Sequence, residues 1–281
     1  MILIFDSFAG LCNQFLDIQT AINFSTKNKY YFSFRYCSFR KNDIKLFTNK
    51  SFDSLFDKNM FKNMNYYIDF ENIKNKINEN NTFNLKQKRT IQLFKNENEL
   101  NHFIKNSKFK YIILPQFFSI CQFKKLKNYY IKIKPNPKLY SIFLNLKKHL
   151  LPQKYNFLHF RYENDFTSFF HIDYVLSIDS LLERLNFKNK NLKIYIACSD
   201  IKNLSKTIYL ANDIYSYKNI LFKDDHFEKY KLNNLNFEEK AFIDFLIGVH
   251  SNEIFGHSKS SFSSILNMFH NTHNYYDIYY L

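Results

Sequence analysis

Met1-Ile2-Leu3-Ile4-Phe5-Asp6-Ser7-Phe8-Ala9-Gly10-Leu11-Cys12-Asn13-Gln14 opens the chain and decides its class. Residues 2–5 are continuously apolar and stop at Asp6-Ser7, the pattern of a strand buried in a parallel sheet. After the Ala9-Gly10 turn, Leu11, Phe15, Ile18 and Ile22 recur at helical spacing, so a helix starts near Leu11 to Asn13. Strand, turn and helix in that order form the first unit of an α/β domain.

Outward from this unit the chain is harder to read. Residues 27–110 are rich in Asn, Lys and Phe, and the stretch 72–81 reads as surface loop or a poorly patterned helix. A second buried strand is expected over 111–114, stopped by Pro115. Lys134-Pro135-Asn136-Pro137 forces an extended path and marks a linker, dividing the chain into domains 1–134 and 135–281. Beyond it a helix carries Leu139, Ile142, Phe143 and Leu146 on one face and ends before Pro152. Strands over 155–161 and 193–198 alternate with helices over 176–185, 237–249 and 262–269, with a short strand at 253–256. That alternation predicts a second parallel-sheet domain.

Composition removes several function classes. Only three glycines occur (Gly10, Gly248, Gly256), which excludes a G-x-G-x-x-G dinucleotide loop, a P-loop and a G-x-S-x-G nucleophile elbow. H-E-x-x-H is absent, and His257, His270 and His273 fit no metal-ligand spacing, so no metal site is expected. Cys12, Cys37, Cys121 and Cys198 show no C-x-x-C spacing, which points to a reduced, cytoplasmic-type compartment. No apolar run reaches the roughly 18 residues of a membrane span. The net charge is +15, but its lysines are scattered among asparagines instead of forming an Arg/Lys stripe. A basic nucleic-acid-associated protein is therefore the least favoured class. Arginine is rare (Arg35, Arg40, Arg89, Arg161, Arg184), and in a chain that uses Lys by habit an Arg points to two-pronged hydrogen bonding, though one on an exposed helix, such as Arg184, carries no such signal.

Three places can carry chemistry. The first is the loop from Ala9 to Gln14, where backbone N–H groups at a helix start face a ligand and Asn13 offers an amide; an ordinary turn has the same pattern. The second is His159-Phe160-Arg161-Tyr162-Glu163-Asn164-Asp165. His159 and Arg161 lie two apart at a strand's carboxyl end, and a guanidinium there suits a pyrophosphate. The alternative is a salt-bridged strand end, with Arg161 paired to Glu163 or Asp165. The third runs from Asp244 to Phe262. Asp244 interrupts an apolar helix and needs a partner if buried; two adjacent donors, such as guanine N1–H and its 2-amino group, would satisfy it. Ser258, Ser260 and Ser261 sit at a helix start, as an anion site or as a plain N-cap.

In this order the segments resemble the fucosyltransferase superfamily, which contains α1,2- and α1,6-fucosyltransferases and the protein O-fucosyltransferases. Ala9-Gly10-Leu11-Cys12-Asn13-Gln14 resembles its G-G-L-x-N-Q loop, with Ala9 in a glycine's place. Leu158 through Asp165 is similar to its H-x-R-x-x-D segment, Ile194 through Asp200 to a strand ending in a small residue and an acid, and Asp244 through Phe262 to its last motif. The resemblance implies a GT-B fold: α/β, two Rossmann-like domains with parallel sheets facing across a cleft. It implies inverting, metal-independent transfer of fucose from GDP-fucose to a hydroxyl of a glycan or protein, with no cofactor. By position, Arg161 would hold the β-phosphate and His159 would lie against the nucleotide. Asp244 would read guanine, Ser260, Ser261 and Phe262 would bind phosphate and ribose or base, and Asn13 would reach the donor. Asp17, Glu163 and Asp165 are the candidate bases, with nothing to choose among them. A non-catalytic GDP-sugar-binding protein of the same fold is the alternative.

Overall fold

The computed structural model describes residues 1–40, 47–85, 93–115, 133–160, 191–198, 220–221, 232–257, 260–270 and 275–276. The chain divides into two compact units, one of residues 1–138 with 236–238 and one of residues 139–235 with 239–281.

In the first unit, β1 (Ile2–Asp6) lies at the centre of a five-stranded sheet of order β3-β2-β1-β5-β4. The flanking strands are β2 (Tyr31–Arg40), β3 (Phe47–Ser51), β4 (Thr82–Asn84) and β5 (Tyr111–Pro115). All pairings are parallel except β2 with β3. Leu3 and Ile4 are fully buried, as a central parallel strand requires. Helix α1 (Leu11–Asn28) buries the expected Leu11, Phe15, Ile18 and Ile22. Residues 72–81 are loop apart from the end of a 3-10 turn at Phe70–Asn72 and a second turn at Lys74–Lys76. Helix α2 (Glu97–Asn106), N-capped by Asn96 onto the Glu99 N–H, was not foreseen. Much of the core beneath β2 is aromatic: Phe34 stacks on Phe52 at 4.9 Å and on Phe61 at 5.0 Å, and Phe52 stacks on Phe56 at 4.8 Å.

Pro137 is the first residue of α3 (Pro137–His149), where its missing N–H costs nothing. The second unit holds a five-stranded sheet, parallel at every pairing, of order β10-β9-β6-β7-β8. Its strands are β6 (Tyr155–His159), β7 (Lys193–Ala197), β8 (Ile220–Leu221), β9 (Glu253–His257) and β10 (Tyr275–Tyr276). Helix α4 (Phe237–Val249) has the expected bounds, and α5 (Ser261–His270) starts one residue early. The expected helix over 176–185 lies outside the described residues. From Phe242 to Gly248 every residue of α4 is buried, the signature of a helix enclosed on all sides. Among the described residues no helix is long and apolar enough to cross a membrane. Cys12, Cys37 and Cys198 are buried and not in disulfides.

Candidate functional site

In the first unit the loop after β1 is built by side chains from β2 and α1. Pairing of β1 with β2 slips between Phe5 and Asp6, so Arg35 is the extra residue on β2. Its guanidinium turns onto Asp6 as a fork, Nε to Oδ1 at 2.9 Å and Nη2 to Oδ2 at 2.5 Å. Burial pushes the Asp6 carboxyl above the ordinary aspartate range even against Arg35 and the Tyr36 backbone N–H.

Ala9 follows with φ of 72°, the left-handed region that disfavours a side chain. This is the position at which the sequence resemblance has glycine. Gln14 holds the loop in place. Its Nε2 donates to the carbonyls of Ala9 (2.9 Å) and Ser38 (2.8 Å), and its Oε1 accepts from Ser7 Oγ (3.1 Å) and the Ser38 N–H (3.2 Å). All four hydrogen-bonding positions of the amide are used, so Gln14 is a fixed strut. Asp17 is buried, and its Oδ2 accepts the Phe8 N–H at 3.0 Å. Asn13 projects half-buried from the first turn of α1, and its side chain makes no hydrogen bond among the described residues.

Arg40 ends β2 beside the same loop; a Cβ on Gly10 would lie 3.3 Å from Arg40 Nη2. Glu238 is fully buried and accepts from Arg40 twice, from Nε at 2.6 Å and from the backbone N–H at 2.8 Å. The Phe237 ring lies 3.8 Å from the guanidinium carbon. The rarity of Arg was the only sequence signal for either ion pair, and of the two only Arg35 uses its guanidinium as a fork. Their carboxylate partners, Asp6 and Glu238, were not foreseen.

In the second unit the candidate residues gather at the carboxyl end of β6 and the start of α5. His159, the last residue of β6, is buried, and its Nδ1 lies 2.7 Å from Ser263 Oγ. The Phe262 ring lies 4.5 Å from the His159 ring, tilted by 34°. Phe262 in turn meets Phe245 edge-on at 5.8 Å. Ser260 is buried, and its backbone bridges the His257 carbonyl and the Ser264 N–H. Ser261 is exposed on the first turn.

Asp244 is buried at 7 % exposure, so the reading in which it faces water is excluded. Its Oδ1 accepts the Tyr195 hydroxyl at 2.7 Å, and Tyr195 stacks on Phe157 at 5.7 Å. Sequence reasoning missed Tyr195 and Ser263. Tyr195 had a usable signal, a Tyr at an otherwise aliphatic position of a central strand, since a buried Tyr hydroxyl seeks a partner. Arg161, Glu163, Asp165 and Ser258 lie outside the described residues. Among the described residues no group of three His, Cys, Asp or Glu side chains is arranged to hold a metal ion.

No family model matches the chain, and no curated protein matches it by sequence. Solved structures do. POFUT1 in complex with GDP matches with a TM-score of 0.62 at 9% identity, over 98% of this chain and 98% of that one. The fucosyltransferase NodZ from Bradyrhizobium matches with a TM-score of 0.56 at 10% identity, over 95% of this chain and 93% of that one. A variant of Arabidopsis thaliana FUT1 in complex with GDP gives 0.56 at 8%, over 96% of this chain and 69% of that one. At these identities the likeness is one of fold, and the fold this chain carries is that of the GT-B fucosyltransferases.

Proposed function

We propose that this chain is an inverting, metal-independent glycosyltransferase that moves fucose from GDP-fucose to a hydroxyl of a glycan or protein. The observation that carries the reading is Asp244. A carboxylate buried among Phe242, Ile243, Phe245 and Leu246, yet held by a phenol, is an expensive arrangement that a guanine-reading residue justifies. It occurs in a fold whose solved examples include POFUT1 bound to GDP-fucose over almost the whole length of both chains.

In this reading the departing diphosphate gathers negative charge as the glycosidic bond breaks. Arg161 and the start of α5 at Ser260 and Ser261 supply fixed positive potential where that charge develops. His159 and Phe262 flank the nucleotide, and Gln14 braces the loop that carries Asn13. The acceptor hydroxyl must lose a proton. Asp17, Glu163 and Asp165 are the candidate acids for the role, and Asp17 also accepts the Phe8 N–H in a buried site.

Calorimetry against GDP, UDP and ADP tests the donor site, and release of GDP from GDP-fucose in the presence of EDTA tests the chemistry. GDP binding with metal-free turnover is expected. Equal affinity for the three nucleotides would overturn the donor assignment, and GDP binding without turnover on any acceptor would make the chain a non-catalytic GDP-sugar-binding protein.

A further inference from the structure

Ser263 is fully buried on the first turn of α5, and among the described residues its hydroxyl makes one hydrogen bond, with His159 Nδ1 at 2.7 Å. A hydroxyl carries one proton to donate, and a buried donor left unused is costly. If Nδ1 carried the ring's proton, it would donate to Ser263 Oγ and the serine's own O–H would have no acceptor among the described residues. The assignment that satisfies both groups has Ser263 O–H donating to Nδ1. The neutral imidazole then carries its proton on Nε2.

Gly256 makes the contact possible. A Cβ at that position on β9 would lie 2.5 Å from Ser263 Cβ and 2.6 Å from Ser263 Oγ, closer than side chains approach. The absence of a side chain lets α5 settle against the sheet end with Ser263 in register with His159. Phe262, the preceding residue, covers the ring at 4.5 Å and limits its rotation.

We infer that Ser263 is a positioning residue that locks His159 in the Nε2–H form. His159 then acts through Nε2 as a hydrogen-bond donor, and its ligand group is an acceptor, an oxygen of a nucleoside diphosphate. The last clause rests on the nucleotide-site reading above; the tautomer and the role of Ser263 do not.

The test is long-range 1H–15N correlation of the histidine rings in the 15N-labelled full chain at neutral pH, with His159→Gln used to assign the His159 signals. The wild type is expected to show an unprotonated Nδ1 and a protonated Nε2. Ser263→Ala and Gly256→Ala should each lose that pattern, and Ser263→Thr, which keeps the hydroxyl, should retain it. GDP affinity in Ser263→Ala should fall about tenfold, the scale of one hydrogen bond to a charged group. A wild-type His159 protonated on Nδ1 overturns the inference, as does a Ser263→Ala spectrum identical to wild type. If Ser263→Ala does not fold, the wild-type and Ser263→Thr spectra still decide. A wild type with the expected tautomer that fails to bind GDP would overturn the nucleotide reading while the Ser263–His159 relationship stands.

Discussion

The Tyr195 hydroxyl donates to Asp244 Oδ1 across 2.7 Å, joining the centre of β7 to the middle of α4 inside the second unit. Both side chains are buried, and the phenol ring is stacked on Phe157. A carboxylate in that setting keeps a fixed orientation, which a residue reading the edge of a base requires.

Asp244→Asn should therefore abolish the preference for GDP over ADP, because the amide presents a donor where guanine presents donors too. Tyr195→Phe keeps the stack and removes the phenol donor; it should cost about 1.5–3 kcal/mol of stability and erode the same preference. Denaturant unfolding and calorimetry with both nucleotides read the two effects. Unchanged selectivity in Asp244→Asn would leave Asp244 as a structural partner of Tyr195 alone.

Arg161→Lys should fold normally and lose on the order of 10²–10³ in transfer rate, with Arg161→Ala worse still. A lysine keeps the charge but not the second parallel hydrogen bond to a pyrophosphate. Initial rates of GDP release, set beside melting temperatures, separate this from a salt-bridge role, in which Arg161→Lys is silent and Arg161→Ala mainly lowers the melting temperature.

Glu238 is enclosed and depends on Arg40, so Arg40→Ala strands a buried carboxylate and should cost about 3–5 kcal/mol. Replacing both partners, as in Arg40→Met with Glu238→Leu, should recover most of that loss. The remainder reflects the Arg40 N–H, which loses its acceptor. Urea midpoints for the three proteins check the ordering, and a double variant as unstable as Arg40→Ala would refute it.

Asp6 links stability to pH with a definite sign. Its folded carboxyl titrates above the ordinary value of 3.8, so just above that pH the folded chain still holds a proton that the unfolded chain has released. The contribution is greatest below 3.8 and is lost as pH rises through the folded value. Burial outweighs the Arg35 fork here. The stability of wild type relative to Asp6→Asn, followed from acid toward neutral pH, should accordingly decline; a rise would show that the fork dominates.

What could be read from the sequence was local. Apolar runs placed β1, β5, β6 and β7, and helical spacing placed α1, α3, α4 and α5, because burial imprints its period on neighbouring residues. The order of the loop at Ala9–Gln14, the His159 segment and the Asp244–Phe262 stretch then carried the resemblance to a fold that the structural comparison bears out. Residues 47–85 gave no such period. Their side chains meet in an aromatic cluster spanning β2 and short 3-10 turns, and no single element repeats.

What each candidate residue touches was decided only in three dimensions. Arg40 and Glu238 are 198 residues apart, His159 and Ser263 are 104, Tyr195 and Asp244 are 49, and Gln14 reaches Ser38 across 24. No local pattern encodes a hydrogen bond between groups that distant, since the partner is chosen by the packing of strands and helices. Tertiary structure alone thus shows that Gln14 is a strut, that Asp244 is buried and held, and that a glycine on β9 brings a serine onto a histidine. The sequence named most of the residues; packing assigned their partners.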